Sequence, residues 1–80
     1  MSPESVLMSN LTAGEHATVL SFGGGRAAQN RLASLGFTPG VDVDITQNYG
    51  FGPLIVTVRG TRVALGRGEA AQIIVRRSGK

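Results

Sequence analysis

Eighty residues, no cysteine and a formal net charge of +3 bound this chain to one small core. They exclude a disulfide framework, a zinc–thiolate centre, an iron–sulfur cluster and a thiol nucleophile. Seven of the eight basic residues are arginine, a modest excess that permits a nucleic-acid partner without demanding one. Twelve glycines set among Val, Ile, Leu and Thr point to short strands joined by tight turns. No apolar run approaches the roughly 18–20 residues that span a bilayer, and the first residues lack the basic start and apolar stretch of a secretory signal. The expectation is a soluble, intracellular protein with no stable membrane insertion.

Residues 1–10 carry Ser, Pro and Glu without periodicity and read as a flexible lead-in to an anchoring Leu11. His16 to Phe22 alternate as a first strand, which Gly23-Gly24-Gly25 ends. Ala28, Leu32 and Leu35 then fall at i, i+4 and i+7 on one face of a helix from Arg26 to Leu35. Gly36 follows the last helical residue, where a left-handed backbone would cost a residue with Cβ roughly 1 kcal/mol or more, and Phe37 takes the apolar position of a C-terminal cap. Pro39-Gly40 suits the middle of a type II turn, after which Val41, Val43 and Ile45 alternate with Asp42, Asp44 and Thr46 in a second strand ending at Gln47.

Asn48 to Pro53 form a glycine-dense loop with two aromatics, Tyr49 and Phe51. Leu54, Val56 and Val58 alternate with Ile55, Thr57 and Arg59 in a third strand, Gly60-Thr61 fits a hairpin turn, and Arg62 to Leu65 make a fourth. A helical turn over residues 66–71 precedes a fifth strand, Gln72 to Arg76, with residues 77–80 as a tail. The predicted fold is therefore mainly β: a small SH3-like barrel of about five strands, with one short helix between strands one and two and a helical turn before the last strand. An OB-type barrel is the second choice. Ala17, Val19, Leu32, Leu35, Val43, Ile45, Val56, Val58, Val63, Leu65, Ile73 and Val75 are the expected filling of a single domain, residues 11–76.

Several features carry the resemblance to a known family. They are Leu11 with Gly14, the run Arg31-Leu32 to Leu35-Gly36-Phe37-Thr38-Pro39-Gly40, and Pro53 before a strand ending Val58-Arg59-Gly60. Val63-Ala64-Leu65, then Glu69-Ala70 and Ile73-Ile74-Val75, complete the set. In order and spacing these resemble the FeoA proteins of bacterial and archaeal ferrous iron uptake. The resemblance implies an SH3-like barrel, a cytosolic location and a non-enzymatic accessory role beside FeoB, a membrane ferrous iron transporter with a cytosolic GTP-binding domain. No helix-turn-helix pattern precedes the barrel, which favours a free-standing FeoA-like protein over a repressor fragment.

The residues themselves offer little chemistry. His16 is the single histidine, and metal centres need three or four converging ligands, so it reads as a strand residue rather than a ligand, with no metal and no cofactor expected. Asp42 and Asp44 share one side of a strand and read as a solvated outer face. Gly23-Gly24-Gly25-Arg26 lacks the Lys-Ser/Thr ending of a phosphate loop and reads as a tight strand-to-helix turn. The serines have no recognisable base and orienting acid.

Tyr49, Phe51, Arg59 and Arg62 are the candidate partner contacts, because exposed aromatics beside arginine are typical interface anchors; the bland alternative for the aromatics is folding back over a barrel end. Gly36, Pro39, Gly40 and Gly60 are the expected turn and cap formers. The competing function is a small nucleic-acid-binding barrel in which arginines meet phosphates and Tyr49 or Phe51 stacks on bases. Exposed strand edges leave a homo-oligomer open.

Overall fold

A computed structural model describes residues 5–77 of the chain. Its elements are β1 (Ser5–Leu7), a 3-10 turn (Met8–Asn10), β2 (His16–Phe22), α1 (Arg26–Ser34), β3 (Asp42–Gln47), β4 (Leu54–Val58), β5 (Thr61–Leu65), α2 (Arg67–Ala70) and β6 (Ile73–Arg77). The strands pair antiparallel in one six-stranded sheet, in the order β1-β6-β2-β3-β4-β5. Register breaks between Val19 and Ser21 and between Ile45 and Gln47 bend β2 and β3, because an extra residue on one strand raises the local twist. The bent sheet wraps one core.

The mainly β fold with one helix between β2 and β3 stands as read from the sequence, with two corrections of architecture. There are six strands, not about five, and the sheet is open between β1 and β5 rather than a closed ladder. Residues 5–10 are not a flexible lead-in: Ser5, Val6 and Leu7 pair with Arg76, Val75 and Ile74, and Met8 is fully buried. Three residues are too few to show a period of their own, so this strand exists because β6 supplies a template for it. Residues 1–4 and 78–80 lie outside the described part, while Arg77, assigned to a tail, ends β6.

The helix stops as a consequence of its cap. The Gly36 N–H donates to the Ala33 carbonyl and the Phe37 N–H to that of Leu32, with Gly36 at φ 104°, which is a Schellman motif. Thr38 to Val41 then form a turn closed by the Val41 N–H on the Thr38 carbonyl (3.0 Å), with Gly40 at φ 91°. The β4–β5 turn is Arg59-Gly60 rather than Gly60-Thr61: both residues have positive φ, 52° and 78°, and Thr61 already pairs with Val58 in the ladder. That geometry is the tight turn whose twist matches antiparallel strands, and it places an arginine in the left-handed region.

The core holds ten of the expected residues, with Leu35 and Val63 half-buried at its rim. Met8, Leu11, Phe37, Leu54 and Ala70 complete it, and no polar or charged residue is buried among the described residues. Phe37 is its largest side chain.

Candidate partner-binding surface

The loop between β3 and β4 places its two aromatics in solvent, Tyr49 at 69% exposure and Phe51 at 74%. The alternative in which they cover a barrel end is therefore not what the chain adopts. An exposed loop with two glycines would ordinarily be loose, yet this one is tied at both sides. The Asn48 side-chain amide donates to the carbonyls of Leu11 (2.6 Å) and Ser9 (3.3 Å), and its oxygen accepts the Gly50 N–H (3.0 Å). Arg67, at the start of α2, donates to the carbonyls of Gly52 (3.1 Å) and Ser9 (3.3 Å).

The four candidate contacts do not form one patch. Arg59 and Arg62 sit at the hairpin end of β4, and a five-residue strand, about 17 Å long, separates them from Phe51. Arg59 leans over the end of α1, where its guanidinium lies 3.4 Å from the Thr38 hydroxyl and its stem packs beside Gly36. Arg62 pairs with Thr57 in the ladder and stays exposed.

The remaining polar features serve the fold. His16 bonds Asp44 directly across the β2–β3 ladder, and the Thr18 hydroxyl donates to Asp42 (3.0 Å) beside it, so both outer-face carboxylates have cross-strand partners. Among the described residues no three His, Cys, Asp or Glu side chains gather as a metal-holding group. In the glycine run before α1, the Gly23 N–H donates to the Gln72 carbonyl (2.6 Å), which uses that donor to join β2 to the start of β6.

Two carboxylates are held as anions by their neighbours. Glu15 is lowered below 4.5, chiefly by the Thr12 N–H (2.7 Å), with burial opposing and Arg77 (2.8 Å) assisting. Glu69 is lowered below 4.5 first by Arg31 and then by the Gly66 N–H. A carboxyl whose folded pKa lies below its unfolded value stabilises the fold above the unfolded pKa and loses that contribution as pH falls through the folded one. The urea midpoint should therefore hold steady above pH 4.5 and fall below it. Glu15→Gln should lower the neutral-pH midpoint and shrink the acid-side fall; an unchanged acid limb in that variant would remove Glu15 from the account.

Sequence reasoning singled out the aromatics and missed their supports. Asn48 had a local signal, since asparagine commonly bonds the backbone two residues on. Arg67 had none, because its two acceptors lie 15 and 58 residues away.

Comparison with known proteins bears on the fold and the family. The model of the FeoA domain family matches residues 6–77. A curated protein of Methanocaldococcus jannaschii named "Putative Fe(2+) transport protein A" is 36% identical over 62 residues, spanning 78% of this chain and 74% of that protein. A crystal structure of an iron uptake regulatory protein, FeoA, superposes with a TM-score of 0.89 at 34% identity, over 92% of this chain and 99% of that one. Zinc-complexed FeoA of Stenotrophomonas maltophilia, described as an SH3 domain protein, superposes with a TM-score of 0.74 at 34% identity, over 85% of this chain and 86% of that one. With the match running from β1 through β6, the chain belongs to the FeoA domain family.

Proposed function

We propose that this chain is a non-enzymatic accessory protein of ferrous iron uptake that binds the cytosolic part of a FeoB-like GTP-binding transporter through its Tyr49–Phe51 loop. The observation that carries the reading is the pair of aromatics held at 69% and 74% exposure on a tied loop. Large rigid side chains of this kind lose little conformational freedom on binding and bury much apolar area, which makes them the usual energetic centres of interfaces. No helix of the described residues is long and apolar enough to cross a membrane. In this reading the chain works at the cytoplasmic face through its partner.

Arg62, exposed beside the hairpin, and Arg59, exposed and with one 3.4 Å contact to the Thr38 hydroxyl, add a weaker electrostatic contact. A nucleic-acid surface is less supported. Phosphate binding needs arginines with free donors near the stacking aromatics, and Arg67, which reaches this loop, directs its donors to the Gly52 and Ser9 carbonyls. Arg31 and Arg77 are paired with Glu69 and Glu15.

The test is binding of the purified protein to the detergent-solubilised FeoB-like transporter from the same source, with and without guanine nucleotide, beside a labelled oligonucleotide. Saturable binding to the transporter alone is expected. If the protein prefers one nucleotide state, it shifts the transporter toward that state by its differential affinity. The double variant Tyr49→Ala/Phe51→Ala should bind about a hundredfold more weakly, two interface anchors at roughly 1–2 kcal/mol each. Binding only to the oligonucleotide would replace this reading with the nucleic-acid one.

A further inference from the structure

We infer that Asn48 and Arg67 are positioning residues, whose hydrogen bonds preset Tyr49 and Phe51 as a two-pronged anchor for an apolar pocket on the protein partner. The inference rests on the proposed use of this loop as the contact surface and names what makes it work.

The tie is unusually convergent. Both side chains donate to the same acceptor, the Ser9 carbonyl, from opposite sides of the loop: Asn48 at 3.3 Å and Arg67 at 3.3 Å. Each also fixes a glycine inside the loop, Asn48 accepting from Gly50 and Arg67 donating to Gly52. Those glycines flank Phe51 and have φ of 89° and 71°, a conformation with no side-chain cost only for glycine. The backbone on both sides of Phe51 is thus held in a shape that an unsupported chain would sample among many others.

The platform is firm because the 3-10 turn carrying Ser9 is rooted by the fully buried Met8. The Asn48 bond to the Leu11 carbonyl (2.6 Å) also pins the N-terminal segment to the core, but the bonds to Gly50 and Gly52 act on the loop alone, since Tyr49, Phe51, Gly50 and Gly52 are all exposed. A fold that needed only to close β3 to β4 could leave the loop free. Holding it in place has value for an encounter, because a loop ordered in advance does not lose that freedom on binding.

The forked guanidinium of Arg67 matters as much as its charge, since one planar group reaches two carbonyls set apart, and a lysine ammonium is a single point donor. The experiment uses the full chain as wild type, Arg67→Ala, Arg67→Lys and Tyr49→Ala/Phe51→Ala. It measures backbone amide order parameters in the free protein and affinity for the solubilised transporter.

Order parameters at Gly50, Phe51 and Gly52 should fall from about 0.85 toward 0.6 or below in both Arg67 variants, with the strands unchanged. Transporter affinity should weaken about tenfold, the scale of fixing the backbone of roughly one loop residue on binding. Loop order that survives both Arg67 variants overturns the inference. So does lost order with wild-type affinity while the aromatic double variant fails to bind, and in that case the contact reading stands. Wild-type affinity in the aromatic double variant overturns both.

Discussion

Phe37→Ala should cost about 3–5 kcal/mol, a quarter or more of what holds this domain together, since a chain of this size is stable by only about 4–12 kcal/mol. Phe37 is fully buried and is the largest side chain in the core, so truncation removes its transfer free energy and leaves a cavity that a sheet bent around it fills poorly. Its position multiplies the effect. The Phe37 N–H closes the helix cap onto Leu32, whose own side chain is buried, so the ring ties the end of α1 to the sheet while the backbone ends the helix. Next to it, a Cβ on Gly36 would lie 3.6 Å from the Arg59 stem and 3.7 Å from Val58, which places the β4–β5 hairpin against the same junction. Urea unfolding followed by far-ultraviolet dichroism checks the expectation. The variant should be partly unfolded without denaturant or show a midpoint reduced by roughly a quarter or more. A loss under about 1 kcal/mol would mean that the core collapses onto the space and that the cap alone orders the junction.

That junction was also the most legible part of the sequence. Gly36, Phe37, Pro39 and Gly40 announce a stop, a cap and a turn within five residues, because each carries a backbone constraint that acts locally and needs no partner. The alternation in β3 and β4 was equally plain: Val43, Ile45, Val56 and Val58 are buried and their neighbours are not. What escaped depends on residues far apart in the chain. β1 is three residues that become a strand only against β6, some 70 positions on. Ala70 enters the core from a helix of four residues, too short to show a face of its own, and Arg59 takes a left-handed backbone because the twist of β4 and β5 selects the turn. The same limit applies at the loop. Two aromatics among glycines could be recognised as unusual, but their exposure is a tertiary outcome, and the loop that carries them is bonded through Arg67 to Ser9, 58 positions away, which no local pattern announces.

The second large effect is expected where the sequence looked least structured. Met8→Ala should destabilise the domain by about 2–5 kcal/mol, equivalent to a lowering of the melting temperature by roughly 10 °C or more, while Leu7→Ala should change stability by about 0.5 kcal/mol or a little more. The two residues are adjacent, apolar and of similar size. Met8 is fully buried in the core and Leu7 is 39% exposed on the outer side of β1, so the contrast isolates burial from composition. A flexible lead-in would give small effects at both positions. The folded segment gives one large and one small, and a thermal melt of the two variants separates these cases in a single measurement. The consequence extends beyond stability, because Met8 roots the 3-10 turn whose Ser9 carbonyl receives both Asn48 and Arg67. Weakening that root should loosen the aromatic loop at temperatures where the sheet is still intact. Amide exchange at Gly50 should therefore rise in Met8→Ala before exchange in β3 and β4 does, as expected when a locally stabilised element opens ahead of the global transition. Simultaneous loss of protection in loop and sheet would instead make the N-terminal segment part of one cooperative unit with the core.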